Sequence, residues 1–123
     1  MHEPSDAPAD VLQQLRDALR GFADDRDWEQ FHSPKNLAIA LSVEAAELLE
    51  HFTWLTQAES ATLPEETLAQ VREEMADVLL YLVRLADRLD VDLRAAAQEK
   101  IDVNAAKYPV EKARGSRRKY DEF

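Results

Sequence analysis

Four acidic residues of the chain form two pairs whose members are three positions apart, Glu44 with Glu47 and Glu74 with Asp77. On an α-helix, residues at this spacing are neighbours on one face. Clustered carboxylate oxygens attract hard cations, and Mg²⁺ is the usual ion when substrate phosphates and waters complete its octahedron. The two pairs therefore indicate a magnesium site, provided that both segments are helices that pack together.

The first acidic pair lies beside the apolar stripe of its segment. At about 100° per residue, that stripe is defined by Leu37, Leu41, Leu48, Phe52 and Leu55. Glu44 falls inside the stripe, whereas Glu47 lies about 60° farther round, at its edge. An ionised carboxylate in a core-facing position is costly unless a cation or several donors compensate it. Glu44 is therefore the acid that most needs a bound cation.

The second pair has a similar position on its own segment, whose apolar stripe centres on Met75, Val78 and Leu82. Glu74, Asp77 and Tyr81 share one flank of this stripe, and Glu73 points the other way. If the two helices pack on each other, the four carboxylates converge.

Apolar residues at helical spacing predict four helices, and capping residues predict where each begins. The first helix runs from about Ala7 to Asp24, and the second begins at Ser33-Pro34 and ends near Thr56. The third begins at Pro64, and the fourth is capped by Asp90 or Asp92 and ends at Tyr108-Pro109. The connector from Asp24 to Ser33 carries Trp28, Phe31 and His32, which either contact a ligand or pack over the end of the helices.

Composition supports an all-α fold in a single domain over residues 1–123, with segments 1–6 and about 111–123 expected to be flexible. Two glycines, 46% hydrophobic and 33% charged residues favour helices over a turn-rich sheet. Short links between four helices predict an antiparallel four-helix bundle with a basic C-terminal tail. The absence of cysteine excludes disulfides, thiolate metal sites and a cysteine nucleophile.

The net charge of −10 argues against binding to nucleic-acid polymers, which depends on basic groups. From Lys100 onwards, however, seven Lys and Arg residues outnumber four Asp and Glu residues, so the tail suits anions. No signal-peptide pattern and no apolar run long enough for a membrane span is visible, and we expect a cytoplasmic protein without membrane contact.

Beyond the acidic pairs, four stretches resemble the dCTP pyrophosphatase branch of the MazG-like all-α nucleoside triphosphate pyrophosphohydrolases. They are Arg26–Leu37 (RDWEQFHSPKNL), Asp77–Val83 (DVLLYLV), Lys100–Val110 (KIDVNAAKYPV) and Arg114–Tyr120 (RGSRRKY). The resemblance covers about Leu15 to Tyr120. It implies Mg²⁺-dependent hydrolysis of nucleoside triphosphates, dCTP or modified dCTP first, to monophosphate and pyrophosphate, in a homo-oligomer that is a dimer or a tetramer.

The resemblance also assigns residues to roles. It implies that Mg²⁺ is held by Glu44, Glu47, Glu74 and Asp77, and we expect Glu44 and Glu47 to be the catalytic residues. Glu47 is the first candidate for orienting the attacking water, and Glu50 is the alternative. The nucleobase pocket is predicted to contain Trp28, His32, Trp54 and Tyr81, although a core position suits Trp54 equally well. Some relatives place a histidine on the first helix against the base, where this chain has Leu19.

For the phosphates or the sugar, the resemblance points to Lys100, Asn104, Lys107 and Tyr108. Lys100 and Asn104 share the face of the fourth helix that carries Leu93 and Ala97, which is the inward face if the bundle forms. The alternative for Lys100 is that its stem lies along the bundle while its ammonium group reaches water.

Other functions are compatible with the same residues. A broader pyrophosphohydrolase of non-standard nucleotides would use the same acids, and a non-catalytic helical oligomer or adaptor would use the acidic faces for solubility. A di-iron carboxylate bundle needs two Glu-x-x-His motifs, and the predicted helices contain none.

Overall fold

The computed structural model describes residues 10–122, which consist of helices, turns and connecting segments without a strand. The predicted start of the first helix at Ala7, and the segment 1–6, lie outside the described residues. The chain divides into two compact units, one up to Val91 and one from Asp92 onwards. None of the described helices is long and apolar enough to cross a membrane.

The first unit contains four of the helices. They are α1 (Val11–Asp25), α2 (Pro34–Glu50), α3 (Gln57–Ala61) and α4 (Glu65–Arg88), with a 3₁₀ turn at Glu29–Phe31 between α1 and α2. The second unit contains α5 (Leu93–Lys107), α6 (Val110–Ala113) and a 3₁₀ turn at Tyr120–Glu122. The four long helices α1, α2, α4 and α5 correspond to the four predicted from sequence.

Side-chain caps fix the starts of two of the predicted helices. Ser33 Oγ accepts a hydrogen bond from the Asn36 backbone N–H at 3.1 Å, so α2 begins where Ser33-Pro34 predicts. Asp92 caps α5 by accepting from the Ala95 backbone N–H at 3.0 Å. Asp90 instead has a φ of 55° in the turn after α4, which leaves Asp92 as the cap.

The predicted end of the second helix near Thr56 is wrong, because α2 ends at Glu50. Thr56 is instead the N-cap of the short helix α3. Its side chain accepts from the Glu59 backbone N–H at 3.1 Å, and Glu59 accepts from the Thr56 backbone N–H at 2.9 Å. This reciprocal capping box satisfies two free amides, so the chain starts a new helix there.

The long helix α4 packs against both α1 and α2. The neighbours of α2 run in opposite order along the two helices: Leu48 and Leu49 share a groove with Val71 and Met75, and Glu44 lies near Asp77. The two helices are therefore antiparallel. The most buried apolar side chains of this unit are Ala23, Leu37, Val71, Val83 and Ala86. Burial of a leucine such as Leu37 is worth about 1.5–3 kcal/mol, which fixes the start of α2 against its neighbours.

In the second unit, α5 has no buried residue. The segment after it returns to the end of that helix, where the rings of Tyr108 and Tyr120 meet edge-on with centroids 6.2 Å apart. Lys107 Nζ lies 4.7 Å from the centroid of the Tyr120 ring, a cation–π contact. An antiparallel four-helix bundle that includes α5 stays a prediction.

Candidate metal and nucleotide site

Three of the four predicted metal ligands come together between α2 and α4. One carboxylate oxygen from each of Glu44, Glu74 and Asp77 lies within 4.8 Å of the other two. The antiparallel packing of the two helices produces this arrangement, because it brings the middle of α2 opposite the middle of α4. Asp77 is exposed and the other two are partly buried, so the trio is open on one side.

The trio is short of positive charge. Glu44 Oε2 and Glu74 Oε2 are buried and accept no hydrogen bond from any described residue. Burial, followed by the neighbouring carboxyl groups of Glu47, Asp77 and Glu74, raises the pKa of Glu44 to about 7. Buried carboxylate oxygens that face one another without a donor are unfavourable on their own. The all-oxygen donor set fits a hard divalent cation such as Mg²⁺.

The fourth predicted ligand, Glu47, stands beside the trio rather than in it. It is exposed, and its carboxyl group is close enough to Glu44 to raise the pKa of that residue. Glu50, one turn farther along α2, is also exposed. Glu47 is therefore the acid of α2 that lies next to the trio and still faces solvent.

A cleft of about 460 Å³ begins at Asp77 and extends between α1, the connector and α4. Three of the four predicted base-pocket residues line it, namely Trp28, His32 and Tyr81. Leu19, at the place where some relatives were expected to have histidine, lines it as well. Asp77 belongs to both the cleft and the acidic trio, so the cleft reaches one member of the trio.

Arg84 belongs to this site but was not among the residues predicted from the sequence. Its side chain is only 4% exposed, and it lines the cleft with Tyr81. It lies seven residues after Asp77 and three after Tyr81, which puts all three on one face of α4. Following the helix face of Glu74 and Asp77 for two turns beyond Asp77 would have predicted that Arg84 belongs to the site.

Other predicted site residues are not brought into the cleft. Trp54 is 92% exposed and does not line it, so a core position for Trp54 within the described chain is excluded. Lys100 and Asn104 are exposed on α5, and Lys107 and Tyr108 are partly exposed at its end. All four belong to the second unit, and their contact with phosphates or sugar stays a prediction.

The sequence of the chain matches a known class of protein. The MazG-like family matches residues 39–123, which is more than half of the chain and includes all four predicted metal ligands. The chain belongs to the MazG-like family.

Individual proteins that are similar to this chain are named pyrophosphatases. The chain is 46% identical over 120 residues to dCTP pyrophosphatase 1 of Homo sapiens, a match that covers 95% of this chain and 70% of the human protein. It is 44% identical over 119 residues to dCTP pyrophosphatase 1 of Mus musculus, with the same coverage of each. A solved structure of a pyrophosphatase from Archaeoglobus fulgidus superposes with a TM-score of 0.72 at 38% identity, covering 89% of this chain and 98% of the archaeal one.

Proposed function

We propose that the chain hydrolyses deoxynucleoside triphosphates, dCTP or modified dCTP first, to the monophosphate and pyrophosphate, with Mg²⁺ held by the acidic trio. The observation that carries this proposal is the double position of Asp77, which is a member of the trio and also lines the aromatic cleft. A nucleotide with its base in the cleft has its phosphates at the carboxylates. The dCTP pyrophosphatases of mammals, similar over almost the whole chain, support the same activity.

Bound Mg²⁺ supplies the positive charge that neutralises phosphate oxygens as a phosphoanhydride bond breaks. Glu44, Glu74 and Asp77 would hold it, with Glu47 as the fourth ligand. Glu47 also orients the attacking water and takes its proton, because it is exposed and next to Glu44. The water oxygen bonds to the α-phosphorus, the bond from that phosphorus to the bridging oxygen breaks, and pyrophosphate leaves. Glu50 is the alternative residue for the water.

The base lies against the aromatic side chains of the cleft. Stacking of a base on an aromatic ring is worth about 1–3 kcal/mol and tolerates different bases. Trp28 is 42% exposed, which leaves one part of its ring available to a ligand. The residues that hold the phosphates or the sugar are Lys100, Asn104, Lys107 and Tyr108.

Apolar side chains left exposed on α2 and α4 support an oligomer. A groove of about 420 Å³ between these helices is lined by Leu48, Leu49, Phe52, Val71, Met75 and Ala45, and Leu49 and Met75 are 62% and 57% exposed. A second copy of the chain covers this surface, in a dimer or a tetramer, and completes four-helix packing around the site. Trp54 reaches a base pocket only in such an assembly. The protein works in the cytoplasm on free nucleotides, without nucleic-acid polymers or membranes.

A second candidate is a broader activity on non-standard nucleotides. The observation in its favour is Leu19, which gives the cleft an apolar side chain without a hydrogen-bonding group for the base edge. A pocket that reads fewer polar groups discriminates less between bases.

The test is a panel of single dNTPs, ribonucleotides and modified dCTP analogues incubated with the purified protein and Mg²⁺, with separation of the products. Monophosphate and pyrophosphate in equal amounts are expected. Release of orthophosphate with diphosphate, or no turnover of any nucleotide, contradicts the proposal. Comparable rates for many bases favour the broader activity.

Variants separate the roles of the acids. Glu44→Gln is expected to lose nearly all turnover together with Mg²⁺ binding, whereas Glu47→Gln loses turnover but keeps part of the binding. Glu73→Gln is the matched control, because Glu73 is exposed on α4 and outside the trio. If Glu50→Gln rather than Glu47→Gln loses turnover, Glu50 orients the water.

A further inference from the structure

A buried arginine joins three groups at the end of the cleft. Arg84 Nη2 donates to Glu29 Oε1 at 2.9 Å, and Nη1 donates to Asp87 Oδ2 at 3.3 Å. Its third nitrogen, Nε, donates to Nδ1 of His32 at 3.1 Å. Each acid also has a second arginine, since Arg88 donates to Glu29 and Arg20 to Asp87. Of these three arginines, Arg84 is the one that donates a hydrogen bond to His32.

This hydrogen bond determines where the proton of His32 lies. A guanidinium group has donors and no acceptor, and it stays charged in proteins. Nδ1 of His32 must therefore be the acceptor, which leaves the proton of the neutral ring on Nε2. Burial, together with the charges of Arg84 and Arg88, also lowers the pKa of His32 below its usual value, so the neutral ring agrees with the hydrogen bond.

The remaining ring nitrogen is available to a ligand. His32 lines the cleft with Trp28 and Tyr81, and its Nε2 has no hydrogen bond to any described residue. The Trp28 ring meets the His32 ring edge-on, with centroids 6.2 Å apart. His32 thus offers one N–H donor among apolar and aromatic side chains.

We propose that Arg84 is a positioning residue that holds His32 in the Nε2–H tautomer, and that this N–H recognises the O2 carbonyl oxygen of a pyrimidine base. The contact with the base rests on the proposed function, whereas the tautomer of His32 does not. O2 is the acceptor that cytosine, uracil and thymine share. A pyrimidine thus offers His32 a carbonyl oxygen beside its glycosidic bond, whereas adenine, which has no carbonyl group, offers ring nitrogens instead.

The tautomer is measured directly by long-range ¹H–¹⁵N NMR of the histidine rings at pH 7.5, with His32 assigned from the spectrum of His32→Gln. The wild-type protein is expected to show the Nε2–H form for His32. In Arg84→Met the acceptor role of Nδ1 is lost, and a mixture of the two tautomers is expected. Arg88→Met is the matched control, because Arg88 shares Glu29 but makes no hydrogen bond with His32.

In Arg84→Met, Glu29 still accepts from Arg88 and Asp87 still accepts from Arg20. Circular dichroism checks that the variant folds. If it does not, the wild-type spectrum still decides, because an Nδ1–H ring or a charged ring for His32 overturns the proposal. An unchanged tautomer in folded Arg84→Met overturns the positioning role. These readouts need no turnover, so they stand even if the proposed function fails.

The carbonyl contact is tested by comparing dCTP with 2-thio-dCTP, whose sulfur is a weaker acceptor. A neutral hydrogen bond corresponds to a preference of about three- to tenfold in KM for dCTP, with kcat nearly unchanged. His32→Gln keeps an N–H near the position of Nε2 and is expected to keep part of this preference, whereas His32→Leu loses it. Equal preference in wild type and His32→Leu overturns the base contact.

Discussion

Arg20 on α1 and Asp87 on α4 form a two-point ion pair, in which Arg20 Nε donates to Asp87 Oδ2 at 2.8 Å and Nη2 donates to Oδ1. The Asp87 side chain is only 8% exposed. Arg84 reaches the same carboxylate. One acid therefore connects the helix that forms one wall of the cleft with the arginine that contacts His32.

Asp87→Asn is expected to lower the free energy of unfolding by about 1–3 kcal/mol, because it removes the charge that two arginines share in a largely buried position. Urea denaturation measures the change. Asp17→Asn is the control: Asp17 is 62% exposed and lies 3.9 Å from Arg20, and an exposed pair contributes within about 1 kcal/mol. Equal losses of unfolding free energy in the two variants would contradict the expectation that the more buried carboxylate contributes more.

Mg²⁺ is expected to raise the thermal midpoint of the wild-type protein. A ligand that binds only the folded state at 100 times its Kd stabilises it by about 2.7 kcal/mol. Glu44→Gln should abolish most of this gain. Without Mg²⁺ at pH 8, the same variant should unfold at a higher temperature than wild type, because it removes a buried charge next to other carboxylates.

Differential scanning fluorimetry with and without EDTA gives both results, and Glu73→Gln should behave like wild type in each. A rise in midpoint that Glu44→Gln leaves intact would place the cation elsewhere.

His32 gives stability a pH dependence of known sign. Burial is the main reason why its pKa in the folded state lies below the usual value of 6.5. The unfolded state therefore binds the proton first, so the contribution of neutral His32 is complete above about pH 6.5 and is lost as pH falls through the lower, folded-state pKa. Arg84 and Arg88 oppose protonation, and Glu29 favours it.

Between pH 7.5 and 5.5, wild type should thus lose more stability than His32→Gln. The difference between the two proteins is the quantity to compare, since other groups titrate in both. His51→Gln, which changes a histidine outside the cleft, should follow wild type. An equal loss in wild type and His32→Gln would mean that His32 does not titrate in this window.

Trp28→Ala is expected to raise KM for dCTP roughly 5- to 150-fold, the equivalent of about 1–3 kcal/mol of base stacking. Trp28 also contacts Phe22, with ring centroids 5.6 Å apart, so Trp28→Phe should restore much of the affinity while keeping that packing. Phe31→Ala is the control, because Phe31 is 59% exposed and outside the cleft. If both alanine variants behave alike in steady-state kinetics, Trp28 does not hold the base.

The helices and the acidic pairs could be predicted from the sequence because their causes are local. Spacing along one helix places Glu74, Asp77 and Tyr81 on a common flank, and a serine followed by proline begins α2 at Ser33. The end of α2 was predicted wrongly because its apolar pattern continues past Glu50, while the Thr56–Glu59 capping box starts another helix. The apolar periodicity and the capping box favour different ends for α2, and periodicity alone does not show which of them determines that end.

The sequence by itself determined the helical class, the acids and the aromatic residues of the connector. The tertiary structure decided which of them meet. Helical spacing already placed Glu44 inside the apolar stripe and Glu47 at its edge, but only the packing of α2 on α4 brings Glu44 together with Glu74 and Asp77. The contacts of Arg84 with His32 and Glu29 join residues that are 52 and 55 positions apart. Spacing within one helix cannot predict such contacts, because they depend on how the connector folds onto α4.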